Sequence, residues 1–249
     1  MTLYKGFADL YTKGPYHFSE RLVEYLPKVF GRFRIQPEKL LDLCCGDGRF
    51  AVAMAKKSMD VTGVDASACM LKYARQRARK AQVTVHLTRQ KMQRLYIRDK
   101  FDLVTCWFDS MNYLLTKREL DTVFRKVNRV LKNGGVFIFD TNTIYGLSVN
   151  WQDNSPCVIQ NTDKLFEVHI CPPIFEKNIA TLKIFGFAKH GPYWRRVVEV
   201  HKERGYRLSE IRKSFKKAHF KELGCWESLK KMTKPKRDSG KVFFMLRKI

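Results

Sequence analysis

A glycine turn at the end of an apolar run is the part of this chain best suited to chemistry. The segment DLCCGDGRF covers residues 42–50, and Gly46 and Gly48 stand between a predicted strand over 39–45 and a predicted helix over 48–57. A strand that enters a helix through glycines presents backbone N–H groups and the positive end of the helix dipole to a ligand. The segment therefore predicts a site for an anionic or strongly polar molecule.

The spacing beyond this turn suits two classes of cofactor. Gly46, Gly48 and Ala51 satisfy the G-x-G-x-x-G/A pattern of dinucleotide sites. Asp65 follows 17 residues after Gly48, at the end of the next predicted strand, where a carboxylate can accept hydrogen bonds from ribose hydroxyls. Spacing alone leaves both a nicotinamide dinucleotide and S-adenosylmethionine open. Asp42 would repel a pyrophosphate but not the ammonium and sulfonium groups of S-adenosylmethionine, so it favours the second.

Several segments, taken in chain order, resemble the class I S-adenosylmethionine-dependent methyltransferases. The likeness is to small bacterial members with a short antiparallel insertion after the fifth strand. The resemblance implies an α/β, Rossmann-like, doubly wound fold, with a mostly parallel seven-stranded sheet and an antiparallel β insertion. The matching segments are FADLY (7–11), DLCCGDG (42–48), GVDAS (63–67), FDLVTCWFDSMNYL (101–114), VLKNGGVFIFDTNT (130–143) and EVHKERGYRLSEI (199–211).

The resemblance also implies which residues bind the cofactor S-adenosyl-L-methionine and release its product S-adenosyl-L-homocysteine. Gly46 and Gly48 would meet the methionine end, and Asp65 would meet the ribose. The full set implied by the resemblance is Tyr11, Asp42, Gly46, Gly48, Asp65, Ala66, Met70, Gln90, Lys91, Met92 and Cys106.

Two positions depart from the family pattern. After the third strand, predicted over 83–88, the family usually places an acid that accepts a hydrogen bond from the adenine amino group, and Lys91 stands there. An ammonium group has donors and no acceptor. Either Gln90 supplies an amide oxygen, or the backbone around Met92 and apolar packing hold adenine. Thr12 is the second departure, since the family often has aspartate after the entry tyrosine.

Methyl transfer from a sulfonium chiefly needs alignment of the reacting atoms in a dry site. An amine acceptor must still arrive neutral, and a phenol or carboxyl acceptor can need a base. Asp109, Asn112 and Tyr113 follow the predicted fourth strand, where they would line the acceptor pocket. His201 alternates with two glutamates on a predicted strand that faces the same pocket. These four residues are the candidates for catalysis.

The periodicity of apolar residues predicts the elements that position these groups. A first helix begins near Phe18, and a capping box of Thr116 and Glu119 begins a later one. Strands alternate with helices through residue 140, which indicates a parallel sheet. We expect residues 1–141 and 201–249 to form the cofactor-binding domain. Residues 142–200 show short apolar runs without helix signals, and we expect an antiparallel insertion that caps the substrate side. A helix over 209–217 and a strand over 241–247 complete the main domain.

Composition agrees with a soluble cytoplasmic enzyme with one elaborated domain, although its net charge is unusual for such an enzyme. The chain has 249 residues, of which 45% are hydrophobic, and neither a membrane-spanning run, nor a signal sequence, nor a membrane as partner is expected. Seven cysteines without a C-x-x-C pair argue against a disulfide framework or a zinc site, and no metal is expected.

The formal net charge of +24 could steer an anionic partner or could be only a solvated basic face, so several functions stay open. The leading interpretation is methyl transfer to N or O of a small, possibly anionic, acceptor. A second is an RNA or protein methyltransferase that docks through the basic C-terminal surface. A third is a non-catalytic sensor of S-adenosylmethionine.

Overall fold

A computed structural model describes residues 4–249, apart from the side chain of Ser19. A seven-stranded sheet with the strand order β10-β11-β5-β4-β1-β2-β3 forms its centre. The strands of this sheet are β1 (Lys39–Leu43), β2 (Asp60–Asp65), β3 (His86–Arg89), β4 (Phe101–Cys106), β5 (Leu131–Asn142), β10 (Phe220–Trp226) and β11 (Lys241–Lys248).

Strands β1 to β5 pair in parallel, and β11 runs antiparallel to both β5 and β10. The sheet therefore confirms the predicted Rossmann-like, mostly parallel architecture. Helices join and cover the strands on both sides. They are α1 (Ala8–Lys13), α2 (Phe18–Phe33), α3 (Arg49–Ala55), α4 (Ala68–Lys80), α5 (Lys117–Val130), α6 (Trp151–Asp153) and α7 (Leu208–Lys217).

Helix α5 begins as its sequence predicts. The Thr116 side chain accepts a hydrogen bond of 3.2 Å from the Glu119 N–H group, and Glu119 accepts one from the Thr116 N–H group, which completes the capping box. Its apolar stripe, from Leu120 to Val130, is buried against the sheet. The capping box and the apolar pattern both specify this helix, and it covers one face of the central sheet.

Several local predictions differ from the structure, and β1 and α3 are shorter than expected. Strand β3 begins at His86 instead of residue 83, because the Val83 N–H group donates to the Ala78 carbonyl oxygen and belongs to the turn after α4. Strand β10 was not foreseen as a separate element. Residues 142–200 contain a π-helical turn (Gly146–Asn150) followed by α6, where strands alone were expected. That turn begins where the Thr143 hydroxyl accepts a hydrogen bond of 2.9 Å from the Gly146 N–H group.

A second sheet of four antiparallel strands follows. Its strands are β6 (Cys157–Asn161), β7 (Leu165–Ile170), β8 (Ile179–His190) and β9 (Tyr193–Arg204), and they lie side by side in this order. Side chains on a strand alternate between two faces, so this sheet has an inner face toward the main domain and an outer face away from it. The last strand runs past residue 200, and its residues up to Arg204 still pair with β8 in the second sheet. No helix within residues 4–249 is long and apolar enough to cross a bilayer.

Candidate active site

The turn after β1 approaches α4 so closely that it requires glycine. Gly48 has a φ of 78°, and a Cβ atom placed on it would lie 2.9 Å from the Cβ atom of Ala74. Gly46 has a φ of 54°, in the left-handed region that favours glycine. A Cβ atom placed on Gly46 would lie 3.4 Å from the Cε atom of Met70. The two glycines thus bring the backbone of the turn against α4 and beside the end of β2.

Asp65 ends β2 and faces this turn. Its Oδ2 atom accepts a hydrogen bond of 2.9 Å from the Gly46 N–H group, and its Oδ1 atom accepts one of 2.8 Å from the Ser67 N–H group. Burial raises the pKa of Asp65, and these two N–H donors oppose the shift. An ionised carboxylate offers about four lone-pair positions, so each oxygen can accept a further hydrogen bond. Such an arrangement suits a ribose-binding acid.

Asp42 lies within β1 and is buried between its neighbours in the sheet. Its Oδ1 atom accepts a hydrogen bond of 3.0 Å from the Thr105 hydroxyl on β4. Burial raises the pKa of Asp42 to about 7, and the Thr105 hydroxyl opposes the shift. The carboxyl group therefore changes protonation near neutral pH, and a nearby cation would favour its charged form.

The Gln90 side chain, which could have accepted a hydrogen bond from adenine, is bonded within the protein instead. The Oε1 atom of Gln90 accepts a hydrogen bond of 2.8 Å from the Tyr96 N–H group, and its Nε2 atom donates one of 3.1 Å to the Tyr96 carbonyl oxygen. The Gln90 amide thus holds a loop. Lys91 is exposed, while Met92 and Cys106 are buried. This geometry favours the alternative in which the backbone around Met92 and apolar packing hold adenine.

Residues 4–16, which we call the N-terminal segment, are bonded to both halves of the molecule. On the cofactor side, the Ser67 hydroxyl donates a hydrogen bond of 3.1 Å to the Tyr4 carbonyl oxygen, directly beside Asp65. On the opposite side, the Glu199 carboxylate of β9 accepts hydrogen bonds of 2.8 to 2.9 Å from the N–H groups of Tyr4, Gly6 and Phe7. The segment therefore covers the end of β2 and reaches the second sheet.

A cavity of about 460 Å³ lies between the N-terminal segment, the loop after β4 and the inner face of the second sheet. This volume falls within the range of small-ligand sites. The rings of Tyr11 and Tyr16 stack in its wall with their centroids 4.4 Å apart. Eight aromatic side chains contribute to its lining, those of Tyr4, Phe7, Tyr11, Tyr16, Phe18, Phe108, Tyr113 and Trp151. Such walls suit a flat, largely apolar molecule.

Lys241 of β11 holds two carboxylates at one end of the cavity. Its Nζ atom lies 2.7 Å from Oδ1 of Asp109 and 2.6 Å from Oδ2 of Asp140. Burial alone would lower the pKa of Lys241, but the two carboxylates hold it above its ordinary range. Asp109, a predicted catalytic residue, does line the cavity, but it is paired with a cation there. This pairing suits a positioning role better than proton abstraction.

Glu203 of β9 lies beside this cluster and also lines the cavity. The Asn142 side chain donates a hydrogen bond of 3.1 Å to its Oε2 atom. Burial and then the charge of Asp109 raise the pKa of Glu203 well above its usual range. The shift favours the protonated form of Glu203, and the polar groups that surround its carboxyl group are the Asn142 amide and Asp109.

Asn112, the second predicted catalytic residue, is fully buried and is not among the residues that line the cavity. Its Nδ2 atom donates hydrogen bonds of 2.9 Å to the carbonyl oxygens of Asn142 and Arg204. Its Oδ1 atom accepts hydrogen bonds from the Thr141 hydroxyl and the Asn142 N–H group. The side chain is satisfied within the protein and joins β5 to β9, so the expected lining role is replaced by a structural one.

Tyr113 and His201, the remaining predicted catalytic residues, line the cavity as a bonded pair. The Tyr113 hydroxyl lies 2.7 Å from Nδ1 of His201. The Nε2 atom of His201 lies 3.2 Å from Oε2 of Glu199, the carboxylate that holds the N-terminal segment. Nδ1 is bonded to Tyr113, and Nε2 is buried beside Glu199 without a hydrogen bond, so neither nitrogen is placed to accept a proton from a ligand.

His169 of β7 is a cavity residue that the sequence-based prediction missed. Its Nε2 atom lies 2.6 Å from Oε1 of the fully buried Glu167. Glu167 also accepts hydrogen bonds from the Tyr16 hydroxyl and the Gln160 amide, so the carboxylate is held on several sides. With Nε2–H donated to Glu167, the Nδ1 atom of His169 is the acceptor in the neutral ring. The geometry is that of a base oriented by a carboxylate.

A short repeat in the sequence could have revealed this pair. The tripeptide EVH occurs at residues 167–169 and again at 199–201. On a strand, the glutamate and the histidine of such a tripeptide share one face. Both tripeptides turn that face toward the cavity, one on each side of β8. Within the described part of the chain, no three His, Cys, Asp or Glu side chains are grouped as metal ligands would be.

Comparisons with known proteins agree with this geometry. A family model described as a methyltransferase domain matches residues 40–135. A protein of Geobacillus sp. (strain WCH70) that is named as a methyltransferase is 30% identical over 251 residues, covering 98% of this chain and 99% of its own. A ubiquinone biosynthesis O-methyltransferase of Histophilus somni (strain 2336) is 34% identical over 111 residues, covering 42% of this chain and 44% of its own.

A solved structure is also similar over nearly the whole length. The S-adenosylmethionine-dependent methyltransferase from Clostridium acetobutylicum ATCC 824 superposes with a TM-score of 0.87 at 27% identity. The alignment covers 97% of each chain, so it includes the second sheet as well as the central one.

Proposed function

Because the chain belongs to the class I S-adenosylmethionine-dependent methyltransferases, we propose that it methylates an oxygen or nitrogen atom of a small acceptor in the aromatic cavity. When bound, S-adenosylmethionine supplies an activated methyl group. The protein's own contribution is then to bind the acceptor, exclude water and remove a proton. The enzyme class is shared with its relatives, whereas the acceptor is our proposal.

The observation that carries the proposal is the His169–Glu167 pair in the cavity wall. We assign His169 as the general base, which takes the proton of an acceptor O–H or N–H group at Nδ1. Glu167 orients the ring and stabilises the charged imidazolium that forms. The deprotonated oxygen, or the neutral nitrogen, would then take the methyl group as its bond to sulfur breaks, and the imidazolium of His169 would return its proton to solvent.

The cavity lining favours a planar, mostly apolar acceptor with one protic group. Aromatic side chains offer faces for stacking, and His169 offers an acceptor for the protic group. Lys241 is already paired with two carboxylates, so the anionic acceptor considered from the sequence has no support from this cation. A relative named for O-methylation in ubiquinone biosynthesis is consistent with a hydroxylated ring as the acceptor.

The two other interpretations of the sequence have weaker support. Docking of RNA or of a protein rests on net charge alone. A non-catalytic sensor does not explain a carboxylate-oriented histidine in the cavity wall, and the relatives are named as methyltransferases.

The test is transfer of labelled methyl from S-adenosylmethionine to three pools, which are hydroquinones, small amines, and an RNA fraction. We expect label in a small acceptor. The variant His169→Gln should lower kcat by about 10² to 10⁴ fold. The matched control is His86→Gln, because His86 lies exposed at the start of β3, away from the cavity. Label confined to RNA, or full activity in His169→Gln, would contradict the proposal.

A further inference from the structure

The outer face of the second sheet exposes an apolar surface across its four strands. Directly paired residues share a face, so Val168, Phe185 and Val198 form one row across β7, β8 and β9. Val158 of β6 extends this row, since it pairs with Val168. Val158 is 57% exposed and Val198 is 45% exposed. Trp194 of β9 is 46% exposed on the same face. Exposed apolar patches of this kind mark interaction sites.

Cations are interleaved with these apolar side chains. The next row across the sheet consists of Ile170, Lys183 and Val200, which places an ammonium group between two aliphatic side chains. Lys189 pairs with Trp194, and Lys202 stands two residues beyond Val200 on the same face. These lysines are exposed. In the described residues, strands β6 to β9 place no aspartate or glutamate on this face, so its charge is uniformly positive.

We propose that this outer face binds the surface of an anionic lipid bilayer. Apolar side chains and Trp194 can enter the headgroup region, where tryptophan is enriched. Lysine stems can lie along apolar surface while their ammonium groups reach lipid phosphates. The formal net charge of +24 adds attraction at longer range.

A second copy of the chain fits this face less well. In a symmetric pair of sheets the same patch meets itself, so Lys183 and its neighbours would oppose the same cations of the other copy. Like charges placed opposite each other are destabilising, and this face carries no acid to compensate. Charge complementarity therefore favours an anionic surface.

Vesicle flotation tests the proposal without any methyl transfer, so its outcome is separate from that of the proposed function. The probes are vesicles of phosphatidylcholine alone and of phosphatidylcholine mixed with phosphatidylglycerol. We expect the protein to float with the mixed vesicles only. The double variant Lys183→Glu/Lys202→Glu should lower this partition at least about tenfold. The double variant Val198→Ser/Val200→Ser should also lower it.

The matched control is Lys213→Glu/Lys216→Glu on α7, which makes the same change in net charge at exposed positions of a different element. It should keep most of the vesicle binding, and calorimetric binding of S-adenosylmethionine checks that every variant is folded. Equal loss in both charge variants would overturn the proposal in favour of unspecific attraction. Absence of flotation would overturn it outright. A wild-type dimer that Lys183→Glu/Lys202→Glu converts to a monomer would assign the face to a second copy.

Discussion

The Nε2 atom of His169 lies 2.6 Å from the Oε1 atom of Glu167, and that carboxylate has no exposed surface. The contact selects one tautomer of the histidine and fixes the plane of its ring. We expect Glu167→Gln to lower kcat about tenfold or more, because an amide can no longer stabilise the imidazolium. The affinity for S-adenosylmethionine should be unchanged, since the pair lies on the acceptor side. Steady-state kinetics with saturating methyl donor, together with calorimetry of donor binding, measure the two effects.

The control for that prediction is Glu176→Gln, since Glu176 lies exposed in the turn before β8. It should leave kcat unchanged. Loss of donor affinity in Glu167→Gln would show that the carboxylate acts through the fold instead of through His169.

Asp65 should carry much of the binding of S-adenosylmethionine. Asp65→Ala is expected to weaken donor binding by about 2 to 4 kcal/mol, because two hydrogen bonds to a charged acceptor are lost. Asp99→Ala should change donor binding little, since Asp99 is exposed and pairs with Lys39. Isothermal titration calorimetry measures both, and equal affinity in wild type and Asp65→Ala would reject the ribose assignment.

Asp42 should make the free energy of unfolding depend on pH. Its pKa is about 7 in the folded chain against 3.8 as the ordinary value, so the folded state holds more protons between these values. Stability from this group is therefore present at low pH and falls as pH rises from about 4 to about 7. Asp42→Asn should remove this fall and be more stable above pH 7 by about 2 to 4 kcal/mol. Urea unfolding at several pH values measures the difference, and parallel pH profiles for wild type and variant would contradict it.

Lys241 should stabilise the fold through its two carboxylates. Lys241→Met is expected to lower the free energy of unfolding by about 3 kcal/mol, because Asp109 and Asp140 would remain close together without their cation. Replacing both carboxylates by asparagine in the same chain should recover most of this loss. Chemical denaturation of the single and triple variants tests the prediction, and an equally unstable triple variant would show that packing of the lysine stem is the cause.

Lys91 should be dispensable for donor binding. Lys91→Asp places an acceptor where the family usually has one, so we expect donor binding to tighten by about 0.5 to 1.5 kcal/mol. The Gln90 amide is bonded to Tyr96 and does not compete for this position. Weaker binding by Lys91→Asp, measured in the same calorimeter, would show that adenine lies elsewhere.

The cofactor side of the molecule was largely predictable from local sequence. The β1 turn, the acid at the end of β2 and the capping box of α5 each depend on residues close together in the chain. Their backbone conformations, such as the positive φ of Gly48, restrict which residue types can occupy these positions. The assignment of individual residues to the cofactor stays a prediction.

The acceptor side was predicted less well because distant residues build it. Lys241 meets Asp109 across 132 positions of the chain, and Tyr16 meets Glu167 across 151. No local sequence pattern predicts such pairs. Asn112 shows the same limit in another way. Its position after β4 predicted a cavity residue, but its amide donates hydrogen bonds to backbone carbonyl groups of β5 and β9. Whether a polar side chain binds a ligand or stabilises the fold depends on residues that are distant in the chain. The periodicity of the sequence does not identify these residues.

The N-terminal segment has a consequence for the timing of turnover. Tyr4 and Phe7 line the acceptor cavity, and the same two residues are bonded to Glu199, while Tyr4 is also bonded to Ser67 beside the cofactor side. We therefore expect a movement of this segment that opens the acceptor cavity to disturb the cofactor side as well. If both products leave through that movement, its frequency sets an upper limit on kcat however fast the methyl group moves.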